Sequence, residues 1–201
     1  MHRYLFHMVP LAIVGVLVTG LLGQGIVGSS HDFSGYGWSG GGVCAPFHTP
    51  HRAADSISAP LWSHDTTAAT YTVNDASGTE MAASEALDTV SLLCMSCHDG
   101  TVALDSFGGA TGNQYISGNA LIGTDLRNDH PVGVTGNYDQ AVIDHPGQYA
   151  DKAVLGLPLY VLNNADSVSC GTCHDVHGSP NPPLLRLSTA GGELCLTCHQ
   201  M

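Results

Sequence analysis

Cys94-Met95-Ser96-Cys97-His98 decides the reading of this chain, because the same frame returns at Cys170-Gly171-Thr172-Cys173-His174 and at Cys195-Leu196-Thr197-Cys198-His199. Two cysteines with two residues between them, followed at once by histidine, form two thioether bonds to a haem and present an imidazole to its iron. A fourth stretch, Cys44-Ala45-Pro46-Phe47-His48, keeps the frame but carries phenylalanine at the second cysteine position. One copy would be weak evidence. Three full copies and a near-copy within 201 residues predict a multihaem c-type cytochrome.

The competing chemistry for such cysteines is zinc. Cys170, Cys173, Cys195 and Cys198 form two pairs separated by 21 residues, close to a zinc-ribbon spacing. A ribbon does not require histidine after each pair and leaves Cys94, Cys97 and His98 unexplained. Cys44 is the seventh cysteine and the odd one, which a single thioether at this first site would account for. The expected cofactor is therefore haem c, four in number, with thioethers at Cys44, Cys94, Cys97, Cys170, Cys173, Cys195 and Cys198.

Working outward, the N-terminus reads as an export signal over residues 1–25: Arg3, the apolar run Leu11–Leu22, then Gly23 and Gly25 at a cleavage site. That run is short of the roughly 20 apolar residues a membrane span needs. Export suits thioether attachment, which occurs outside the cytoplasm. Residues 26–201 are one domain by length. The formal charge of −12 becomes −13 without Arg3, which argues against nucleic acid or an anionic membrane as partner. With 25 glycines, 10 prolines and only 11% charged residues, long amphipathic helices are not expected. The predicted fold is that of a multihaem cytochrome c: loop-rich, with a few short helices and little strand, the haems forming the core.

Locally, Ser29–Gly42 reads as extended and Thr49–Thr72 as loop. Ser84–His98 is the best helix, with Ser84 as N-cap. Leu155–Leu162 is the most strand-like run, demoted to an edge by Pro158. Leu184–Leu187 and Gly192–His199 suggest helical turns. His48-Thr49-Pro50-His51 and His174-Asp175-Val176-His177 form a local repeat, suggesting that His51 and His177 ligate neighbouring haems.

The proximal ligands expected are His48, His98, His174 and His199. Outside the signal segment His31, His51, His64, His130, His145 and His177 remain, and four haems need four more ligands. Met81, Met95 and Met201 lack the setting for this role. The candidates are His31, His51, His64, His130 and His177, with His145 set aside. Ligation by two histidines saturates the iron and favours electron transfer over substrate chemistry.

Residues spread over nearly the whole mature chain carry a resemblance: His31-Asp32-Phe33-Ser34; Cys44…His51; Ala59-Pro60-Leu61-Trp62-Ser63-His64; Cys94…Asp99-Gly100-Thr101-Val102-Ala103; Asp129-His130-Pro131; Cys170…His177; and Leu184…His199. In this combination the chain resembles the OmcE-like extracellular tetrahaem cytochromes, some of which polymerise into haem nanowires. The resemblance implies a loop-rich fold around closely stacked haems with two histidines on each iron, and it allows one ligand to come from a neighbouring subunit. Phe47 is the departure, since the group has cysteine there. The termini point the same way: His31 lies six residues into the mature chain and His199 two from its end. A donor His31 could reach a neighbour's haem in a head-to-tail, non-closing contact.

These readings converge on an electron-transfer protein, not an enzyme, at the cell surface or in the extracellular space. Its expected partners are copies of itself and redox proteins. The rivals are a soluble periplasmic shuttle and a multihaem reductase, which would need an open iron position; the first site is where that would be sought.

Overall fold

Glycine and proline punctuate the sequence too closely for long elements to form. The computed structural model describes residues 25–51, 53, 59–74, 80–81, 87–134 and 137–200, and over these it is loop-rich as expected. Arg3, Leu11–Leu22 and Gly23 of the export segment lie outside the described residues. Among those described, no helix is long and apolar enough to cross a membrane. The helices are α1 (Thr89–His98), α2 (Asn137–Asp144), α3 (Cys170–Cys173) and α4 (Glu193–Cys198). The strands are two short antiparallel pairs, β1 (Val73–Asn74) with β2 (Glu80–Met81) and β3 (Tyr160–Leu162) with β4 (Ala165–Ser167).

The helix expected from Ser84 is shorter. Residues 84–86 lie outside the described residues, and the cap is Asp88, whose carboxylate accepts from the amides of Val90 and Ser91. An acidic side chain there satisfies otherwise orphaned donors and suits the positive end of the helix dipole. The helix stops at Asp99-Gly100. Gly100 takes φ +76°, and a Cβ on it would lie 2.6 Å from Leu121 Cδ1.

Three other local expectations are corrected. Ser29–Gly42 is not extended but folds into 3₁₀ turns at Phe33–Gly35 and Gly37–Ser39. Asp32 drives the first, its two carboxylate oxygens accepting from Ser34 N and Gly28 N. Leu184–Leu187 is not helical either. Pro182 and Pro183 cannot donate a helical bond, Leu184 has φ +63°, and the Leu185 amide closes a turn onto Asn181 O at 2.7 Å. The strand-like run is reduced to Tyr160–Leu162. It folds back through Asn163 and Asn164, both at positive φ, as the twist of a two-residue hairpin requires.

The apolar interior is divided into two small clusters. Tyr71, Val73, Leu87, Met95 and Leu126 pack around α1, and Tyr138, Ala150, Leu155, Leu157 and Val168 pack against α2 and the C-terminal segment. What joins α1 to α3 is polar. The Ser169 hydroxyl donates to Asp88 at 2.9 Å and lies 3.1 Å from the Ser91 hydroxyl, which accepts from Cys170 N. Gly171 permits the approach: a Cβ there would lie 2.5 Å from the Tyr160 hydroxyl and 2.9 Å from Val90.

Candidate haem sites

All four attachment sequences fold into the same local device. In α1 the frame is fully helical. At the other three the histidine amide closes a helical turn on the carbonyl of the first cysteine: His48 on Cys44 at 2.7 Å, His174 on Cys170 at 3.0 Å, and His199 on Cys195 at 2.9 Å. Phe47 therefore leaves the turn of the first site intact. The turn puts the two attachment positions and the histidine on one side of the backbone.

Three of the four histidines are then aimed by the same second contact. The Nδ1 atoms of His48, His98 and His174 lie 2.8, 2.7 and 3.0 Å from the backbone carbonyls of Pro60, Ala120 and Pro183. A carbonyl can only accept, so Nδ1 carries the proton and Nε2 is left as the lone-pair nitrogen, the tautomer that ligates iron. His199 differs. Its ring sits 4.9 Å from that of Tyr149, and a β-bridge joins the two residues.

The second axial position is where the folding of distant segments shows. With metal–imidazole bonds of roughly 2 Å, two rings on opposite sides of one iron have centroids about 6 Å apart. His48 and His177 are stacked at 6.2 Å, His31 and His98 lie at 6.0 Å, and His130 and His199 at 6.3 Å. The His31 Nδ1 is buried without a hydrogen-bond partner, an arrangement that a bond to metal would relieve. Burial, helped by His98 and His174 nearby, lowers the His31 pKa to about 4, so this ring is neutral at pH 7 and able to ligate. Burial, and His130 next to it, likewise lower His199. These residues fit haem.

The remaining candidates are placed differently. His51 is exposed, and no ring contact joins it to another described residue. His64 is 1% exposed, with Nδ1 2.7 Å from Asp65 O and Nε2 2.9 Å from Ala103 O. Both of its nitrogens face carbonyls, and it is brought to none of the paired imidazoles; its near neighbour is the Cys97 sulfur at 3.5 Å. His145, set aside on sequence, packs near Tyr149.

Attachment points also converge. Cys94 and Cys170 share a hydrogen bond; this contact, with burial, pushes the Cys94 thiol up, and the same bond holds Cys170 down. Burial and then Asp99 push Cys97 up to about 12. Asp99 itself is worked on by burial, which raises it. The hydrogen bonds from Thr67, Tyr71 and Thr101 outweigh that and keep the carboxyl below its ordinary range. Asp99 and Thr101 of the Asp-Gly-Thr extension thus tie the end of α1 to Tyr71. Tyr149, Phe33 and Trp62 are contributors that spacing arguments do not find, because none falls in an attachment frame; Phe47 does, but its stacking on Phe33 is visible only in the fold.

Attachment turns of this kind, each ending in a histidine, imply covalently bound haem c. Residues 163–201, which hold the last two attachment sequences, match the family described as the doubled CXXCH motif, the paired arrangement of multihaem c-type cytochromes. No curated protein matches the chain.

Proposed function

We propose that this chain is an exported tetrahaem electron carrier that acts as the repeating subunit of an extracellular filament and performs no substrate chemistry of its own. The observation that carries the electron-transfer reading is the set of three imidazole pairs, each drawn from distant segments to the spacing of one iron. Haem c, when bound, supplies an iron that alternates between ferric and ferrous states. The chain's residues do the rest. Cys94, Cys97, Cys170, Cys173, Cys195 and Cys198 anchor three haems at two points each, and Cys44 anchors the first at one. At the first, second and fourth sites a histidine on each side would leave no position for a substrate. The contact between Cys94 and Cys170 draws two attachment points together, favouring rapid exchange between neighbouring sites. Paired imidazoles without methionine set low potentials; a titration dominated by high-potential centres would overturn this assignment.

Assembly rests on the N-terminal arm. His31 lies beside His98 of its own chain, on a capped knot of residues close to the start of the mature protein. Exchanging that arm between subunits would recreate the same pair across a boundary, giving a head-to-tail contact that does not close. Haem content by pyridine haemochrome and intact mass, followed by electron microscopy of the extracellular fraction, tests both levels. Four haems and filaments are expected. A haem-free chain would end the electron-carrier reading, and monodisperse haem-loaded particles would leave a periplasmic shuttle in place of the filament.

A further inference from the structure

We propose that Phe47, the residue standing where the first attachment sequence lacks its second cysteine, is a positioning residue that places His31 opposite His98. The inference rests on the reading of His31 and His98 as one axial pair. Phe47 is held from both sides of its backbone: its amide donates to Cys44 O at 3.0 Å, and its carbonyl accepts from Ser63 N at 2.8 Å. From this fixed turn its ring stacks on Phe33 at 5.6 Å and 25°, lies 6.0 Å from His31, and is flanked by Trp62 at 6.3 Å.

Phe33 and His31 belong to one small knot. Asp32, between them, binds the amides of Gly28 and Ser34, and the His31 amide donates to Ser29 Oγ at 3.1 Å. The knot is therefore a preformed unit with two rings on one surface, and both rings touch Phe47. Docking it there brings the His31 ring to 6.0 Å from His98 with a buried nitrogen that nothing among the described residues satisfies. A cysteine at position 47 offers no ring face for Phe33, and its sulfur would be committed to the porphyrin. The first site thus gives up one covalent bond, and the second gains a placed ligand.

The test uses the haem-loaded protein. Phe47→Ala, Phe33→Ala, Phe47→Tyr and His31→Ala are compared for haem number, for high-spin signal in the ferric electron paramagnetic resonance spectrum, and for carbon monoxide bound per ferrous chain. Wild type and Phe47→Tyr are expected to be low-spin and inert to carbon monoxide. Phe47→Ala and Phe33→Ala should gain one high-spin haem and bind about one equivalent, as His31→Ala does. The Phe47→Ala/His31→Ala double variant should bind no more than either alone. If both phenylalanine variants stay low-spin and inert, or if the double variant binds two equivalents, the inference is wrong, whether or not the first haem is retained. Phe33→Ala preserves the attachment turn, so a folding failure of Phe47→Ala leaves the test standing. Wild type without haem would instead overturn the electron-carrier reading.

Discussion

His51 is the residue through which the third site is completed on the present reading. His177 follows His174 by three residues and faces His48, and His51 follows His48 by the same interval. The repeat is the ground on which we propose His51 as the ligand opposite His174, a pair that no ring contact joins among the described residues. His51→Ala is expected to open one axial position, read as a single high-spin haem binding one equivalent of carbon monoxide; an unchanged spectrum would give His174 a different partner. A second residue-scale prediction concerns Asp125, whose carboxyl is pulled down to about 2 by hydrogen bonds from Arg127. A depressed carboxyl stabilises the fold above its ordinary pKa of 3.8 and loses that contribution as pH falls through about 2. Arg127→Ala should return the Asp125 titration, followed by carboxyl NMR, toward 3.8. At this scale the sequence was legible wherever the chemistry is local. Five consecutive residues determine an attachment turn, so the cysteines and proximal histidines could be read directly. The axial partners could not, because 128 residues lie between His48 and His177 and only the tertiary fold joins them.

Among the elements, the α1–α3 contact is the most sensitive to side-chain size. Gly171 occupies a position that the attachment chemistry itself does not constrain, yet the Tyr160 hydroxyl and Val90 leave no space for a methyl group. Gly171→Ala should destabilise the haem-loaded protein by about 1–3 kcal/mol through overpacking, measured by denaturant unfolding. Leu196→Ala at the equivalent, exposed position of α4 should cost well under 1 kcal/mol. Equal losses at the two positions would refute the packing argument. Element boundaries were less legible than element existence. The stretch ending at His98 announced a helix by its apolar spacing, but Asp88 overrode Ser84 as its start because a carboxylate can satisfy two amides. The β3–β4 hairpin was half visible. Asn163-Asn164 is a turn signal, and its weight was hidden by a following strand, Ala165-Asp166-Ser167, without apolar character.

For the molecule as a whole, the interior formed by the described residues is two apolar clusters and a polar seam. Loop-rich architecture was foreseeable from glycine and proline; the division of the interior was not, since it depends on where remote segments meet. The haem-free chain, made with every attachment cysteine replaced by serine, is expected to melt without a cooperative transition in circular dichroism. A sharp transition matching the loaded protein would show that the polypeptide core suffices. The pairing of His48 with His177 also gives assembly an order in time. His31 precedes His98, and His130 precedes His199, so those sites can acquire both imidazoles as soon as their attachment sequences have been synthesised. The first attachment sequence emerges earliest yet waits for 129 more residues before its second imidazole arrives. During that interval it offers a vacant coordination face, and a chain interrupted anywhere before His177 would keep it so.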